Sequence, residues 1–208
     1  MLVALGVSIA TGALLRSTST LHRPPFQPSG AAFGIWGVIY TAIAICGVSI
    51  MNQKVSWWPV VLLASSLLCS AGWLATVGLA EKRWSALLIS LAALTAAGSV
   101  SLLKPSLRSP SDWATSAGPS LLAGWLGVAV GLGINLAYHE VTKDDLPAWI
   151  LIPGGVIASA SGIIGGAPLT GLPLLWAALF SKRSSVSLLV GGLGILTAGV
   201  ATFRGLDR

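Results

Sequence analysis

Charge is the first thing this sequence withholds. Only 9% of its 208 residues are Asp, Glu, Lys or Arg, where a water-soluble domain carries about 25%. With 54% hydrophobic residues and a mean hydropathy of +0.85, the chain cannot cover its apolar surface in water. That excludes a soluble fold and implies an integral membrane protein of a bacterial inner membrane or an organelle. No Asp, Glu, Lys, Arg or His lies well inside a long apolar run. Intramembrane charge is costly and kept for function, so ion-coupled transport lacks its usual groups. Only two cysteines occur, Cys46 and Cys69, both in apolar runs without a C-x-x-C pair. They read as small packing residues and say nothing of redox compartment. His22 and His139 stand apart, with no thiol or carboxylate at ligand spacing, which argues against a metal site. His139-Glu140 opens like a metalloprotease motif, but no second His follows at helical spacing. With no catalytic triad, phosphate loop or dinucleotide fingerprint, nothing asks for an enzyme or a required cofactor.

The net charge of +6 invites a nucleic-acid reading, which its placement rejects. Every Lys and Arg falls in a connector or tail, in ones and twos, as topogenic charges do. The bilayer, not nucleic acid, is the expected partner.

Uncharged runs cover residues 2–15, 33–51, 57–80, 84–103, 119–138, 147–165, 168–180 and 186–203. A bilayer core about 30 Å thick needs roughly 20 helical residues. The runs are continuously apolar and do not alternate as barrel strands do. They predict an all-α polytopic bundle of seven or eight spans, with 2–15 and 168–180 short. The run at 2–15 also resembles a signal-peptide core, but it lacks a basic n-region and a clear cleavage site, so a short first span is preferred. Pro24, Pro25 and Pro28 stiffen the 16–32 loop. Residues 104–118, with Pro105, Pro110 and several serines, read as a second long loop. If all eight runs cross, seven of the twelve Lys/Arg face one side and five the other, a weak lean in orientation.

Small residues recur every four positions at Ala123, Gly127 and Gly131, and at Gly154, Ala158, Gly162 and Gly166. Such stripes let helix backbones approach. Packing within the chain is the expectation, and a homodimer or membrane-complex seam the alternative. No internal repeat of the transporter kind is visible.

Tryptophan is abundant, with nine residues. Trp57, Trp58, Trp84 and Trp149 start spans, where indoles favour the membrane interface, and Trp113 sits in a polar stretch. Trp36, Trp73, Trp125 and Trp176 lie within runs, where a buried indole N–H wants an acceptor. Phe33, Trp36 and Tyr40, at i, i+3 and i+7, share one helical face. The same rings are equally readable as packing.

The block Pro28-Ser-Gly-Ala-Ala-Phe33-Gly-Ile-Trp36-Gly-Val-Ile-Tyr40 resembles the signature of the tryptophan-rich sensory proteins, within the translocator protein/peripheral benzodiazepine receptor family. Ser65-Ser66-Leu67-Leu68 with Trp73 is similar to the family's third span, and Pro119 to Trp125 with Ala129 and Asn135 to its fifth. The likeness runs from about Pro24 to Tyr138. It implies a five-helix core over residues 1–140, with residues 141–208 as an extension of two or three spans, as in the longer tryptophan-rich members. The resemblance further implies a pocket under the first loop for a porphyrin (tetrapyrrole), an isoprenoid or sterol-like molecule, or another flat apolar ligand. Its candidates are Phe33, Trp36, Tyr40, Trp73, Trp125, Ala129 and Asn135, with Arg16 or Arg23 to pair a propionate. Two positions depart from the family. Ser70 stands where an Asn usually precedes the third-span Trp. Gly133 holds the fifth-span Asn place, leaving Asn135 turned roughly 160° round the helix from it. The implied function is a non-enzymatic membrane receptor; a structural or assembly subunit and a small-molecule transporter are the alternatives.

Overall fold

The computed structural model describes residues 29–53, 55–77, 82–105, 107–181 and 184–207. The expected first span at 2–15, and Arg16 and Arg23, lie outside them. The described residues form seven α-helices: α1 (Ile35–Met51), α2 (Trp57–Val77), α3 (Lys82–Leu103), α4 (Pro110–Thr142), α5 (Leu151–Gly165), α6 (Gly171–Phe180) and α7 (Ser185–Leu206). Short 3-10 turns at Gly30–Gly34, Ala148–Ile150 and Pro168–Thr170 lead into α1, α5 and α6. Six segments, with mean hydropathies between 1.6 and 2.1, are long and apolar enough to cross a bilayer. The chain is an integral membrane protein built as a polytopic helical bundle. The run at 168–180 is helical but short.

Both neighbours of these helices, lipid and protein, are apolar, so hydrophobic residues surround them. On α1, Ile35, Ile39, Ile43 and Cys46 are buried, while Val38, Ile45 and Val48 are more than half exposed. Helices α1, α4, α3 and α2 pack in that order as a row. Against it, α5 lies on α4 and α3, α7 lies on α5, and α6 lies on α7 and α4. Leu151, Leu174, Ala177 and Val190 join Ile39, Leu122 and Trp125 in one apolar core. Helix α4 is the central element, with every residue from Gly118 to Ala129 buried.

That helix replaces most of the loop expected over 104–118. It begins at Pro110 and runs for 33 residues, about 50 Å at 1.5 Å per residue. Ser109 caps it, its hydroxyl accepting the Asp112 N–H at 3.2 Å, and Pro110 takes the first turn, where a missing N–H costs nothing. The hydroxyls that give this stretch its loop-like composition turn back on their own helix. Thr115 donates to the Ser111 carbonyl at 2.8 Å and Ser120 to that of Ser116 at 2.6 Å.

Pro119, inside the helix, cannot donate to the carbonyl of Thr115 four residues earlier. Cys46 of α1 supplies the missing donor, its thiol reaching that oxygen at 2.9 Å. Beside it, a Cβ on Gly118 would lie 2.7 Å from the Ile43 Cα, so only glycine lets α1 come so near. A helix-breaking residue has become a docking point.

The two small-residue stripes meet each other within the chain. A Cβ on Gly127 would lie 2.7 Å from the Gly154 carbonyl oxygen and 2.9 Å from the Ala158 Cβ. One on Gly154 would collide with the Gly127 carbonyl, and Gly131 abuts Leu151 and Ile150. Backbones this close gain dispersion and weak C–H···O contacts, the forces left to helices in lipid. At the C-terminal end of α7, Arg108 donates twice to the Leu206 carbonyl, at 3.2 and 2.9 Å, closing that helix terminus with a cation.

Candidate functional site

Four rings gather where the first loop enters α1. Phe33 comes from the 3-10 turn, Trp36 and Tyr40 from the first two turns of α1, and Trp125 from the middle of α4. Trp36 and Tyr40, one turn apart, stack at 5.3 Å with 17° between their planes. Trp125 meets Trp36 edge-on at 6.3 Å and Phe33 edge-on at 5.7 Å. Each such pair contributes about 0.5–1.5 kcal/mol beyond the area it buries. Trp125 is 2% exposed, whereas Phe33, Trp36 and Tyr40 are half-buried at the edge of the core. Ala129, one turn beyond Trp125 on α4, is buried as well.

Trp73 lies on α2, half-buried against the same core. Its indole N–H is buried without an acceptor among the described residues, and so is the Ser70 hydroxyl one turn earlier. An unpaired buried polar group costs about 1–3 kcal/mol. The two stand three residues apart on α2, one helical turn from each other.

Asn135 is placed differently from the rings. It is fully buried, ten residues past Trp125 and so about 15 Å further along α4. Its Nδ2 donates to Asp145 Oδ1 at 2.9 Å, and its Oδ1 accepts the Leu146 N–H at 2.6 Å. His139 Nδ1 stands 3.6 Å from the same Asp145 oxygen. Both ends of the amide are spent on the connector between α4 and α5, so the structure does not bring Asn135 to the ring cluster. Asn135→Ala is expected to lower unfolding free energy by about 1–3 kcal/mol, because it orphans the Leu146 N–H. Thermal unfolding in detergent checks this, and a melting temperature equal to the wild type would refute the anchoring role.

The structure adds two residues that the sequence alone does not place in the site. Trp176 of α6 donates from Nε1 to the Ala32 carbonyl at 2.9 Å. The Ser29 N–H donates to the Phe180 carbonyl at 2.9 Å, and the Trp176 and Phe180 rings lie 4.6 Å apart. These contacts fix the rim on which Phe33 sits. The one signal in the sequence is that Trp176 stands inside a run, where an indole wants an acceptor; the acceptor itself lies 144 residues away.

Among the described residues, a cavity of about 140 Å³ lies between α3, α4 and α5, and another of about 20 Å³ beside the α6–α7 turn. Neither is lined by the ring cluster. Among the described residues no group of His, Cys, Asp and Glu is arranged to hold a metal ion.

Comparison with known proteins places the chain by its sequence. The family model described as TSPO-like protein matches residues 4–201. No curated protein and no solved structure matches the chain.

Proposed function

Since this chain belongs to the TSPO-like family, we propose that it is a non-catalytic binding or sensory protein for a planar apolar ligand, a tetrapyrrole or an isoprenoid or sterol-like molecule. The observation that carries the reading is the half-buried Trp36–Tyr40 stack, held edge-on by buried Trp125 at the mouth of α1. Stacked aromatic faces bind a flat guest by dispersion.

Titration of the purified protein with protoporphyrin IX, followed by tryptophan quenching, tests this. Trp36→Ala and Tyr40→Ala are each expected to weaken affinity about three- to tenfold, the equivalent of one lost aromatic contact. Trp57→Phe is expected to leave it unchanged, because Trp57 stacks on Trp58 at the opposite membrane face. Equal affinity in all four proteins would remove the ring cluster from the binding site.

A further inference from the structure

We propose that the groove between α3, α4 and α5 is a phospholipid site, with an acyl chain in the groove and the phosphate at Arg83. The groove, about 140 Å³, has Gly127 and Gly154 among its lining residues. Along one side of it α4 and α5 touch backbone to backbone through Gly127 and Gly154. Its one hydroxyl, Ser90, already donates to the Ala86 carbonyl at 2.8 Å, so the lining side chains offer no free donor. An apolar guest is the one it suits.

The mouth identifies the source of that guest. Leu94 and Ile157 flank the groove at 54% and 44% exposure, part of the same surface that faces hydrocarbon in the membrane. The size limits the guest further. A cavity of about 150 Å³ holds a benzene-sized molecule, whereas a helix from another protein is about 10–12 Å across. A short stretch of an acyl chain, about the size of benzene, fits within the groove.

Charge complementarity fixes the other end of the lipid. Arg83, Ser90 and Leu94, at i, i+7 and i+11, lie on one stripe of α3. Arg83 therefore stands about 10 Å above the groove, at the end of the helix. It is exposed there, with its guanidinium carbon 5.9 Å from the centroid of Trp84, whose indole marks the interface. A phosphate at Arg83 leaves its acyl chain at the depth of Ser90 and Leu94, within a hydrocarbon leaflet about 15 Å deep.

Native mass spectrometry of the full chain, purified in detergent with palmitoyl-oleoyl-phosphatidylglycerol, tests the site. The wild type is expected to retain one phospholipid. Leu94→Trp and Ile157→Trp, on two different helices and both at the exposed mouth, are expected to cut the retained fraction at least about fivefold. Arg83→Gln is expected to cut it about threefold, and Leu68→Trp, exposed on α2, to leave it unchanged. Circular dichroism confirms that each variant folds, and two mouth variants guard against failure of one. Wild-type retention in both mouth variants, no retained lipid in the wild type, or a dimer mass in place of the lipid adduct would each overturn the proposal.

Discussion

Gly154→Ala is expected to lower the unfolding free energy by about 3 kcal/mol or more, and Gly154→Val to leave no folded bundle. The added methyl of alanine would collide with the Gly127 carbonyl, which is backbone and has no rotamer to yield. Relief requires α5 to move away from α4, yet α5 also packs on α3 and α7. Overpacking a rigid contact costs about 1–3 kcal/mol where side chains can adjust, and more where backbones must part. Gly192→Ala provides the comparison. It lies exposed on α7 with nothing within 4 Å of the added carbon, and alanine is the better helix former by about 1 kcal/mol. Thermal unfolding and size-exclusion profiles in detergent separate the two. Wild-type melting of Gly154→Ala would mean that the two stripes do not meet as described.

Trp125→Ala carries the second large effect. The side chain is 2% exposed, sits on the most buried helix and holds two other rings edge-on. Truncating a buried tryptophan costs about 3–5 kcal/mol, partly for the void it leaves. The loss should also reach the proposed ligand, because Trp36 then has no edge to rest against. A double-mutant cycle with Trp36→Ala is expected to give a coupling of about 0.5–1.5 kcal/mol, read from unfolding free energies. Additivity within about 0.3 kcal/mol would show that the two rings do not support one another.

Much of the fold was legible as runs of uncharged residues, because in lipid a helix needs only length and apolarity. The first turns of α4 were not. Serines, Thr115 and two prolines between 109 and 119 imitate a loop, although Ser109-Pro110-x-Asp112 is a helix-start pattern. What overrides their polarity is non-local: the Cys46 thiol satisfies the carbonyl that Pro119 abandons. The aromatic stripe was readable from spacing alone, and Phe33, Trp36 and Tyr40 do converge, with Trp125 added from another helix. Asn135 shows the limit of spacing. Its rotation about α4 pointed away from the family position, but its partners lie in the connector that follows and depend on how the chain turns back. The role of Trp176 was hidden for the same reason, since sequence does not state which distant carbonyl an indole will find.

The bonds from Trp176 to Ala32 and from Ser29 to Phe180 tie two distant stretches of chain into a single hinge. Opening a path to the rings beside Phe33, as the proposed binding requires, therefore means displacing α6, the shortest of the described α-helices. Any strain applied to that short helix, from bilayer thickness or from a neighbour, would be passed through these two bonds to the turn that carries Phe33.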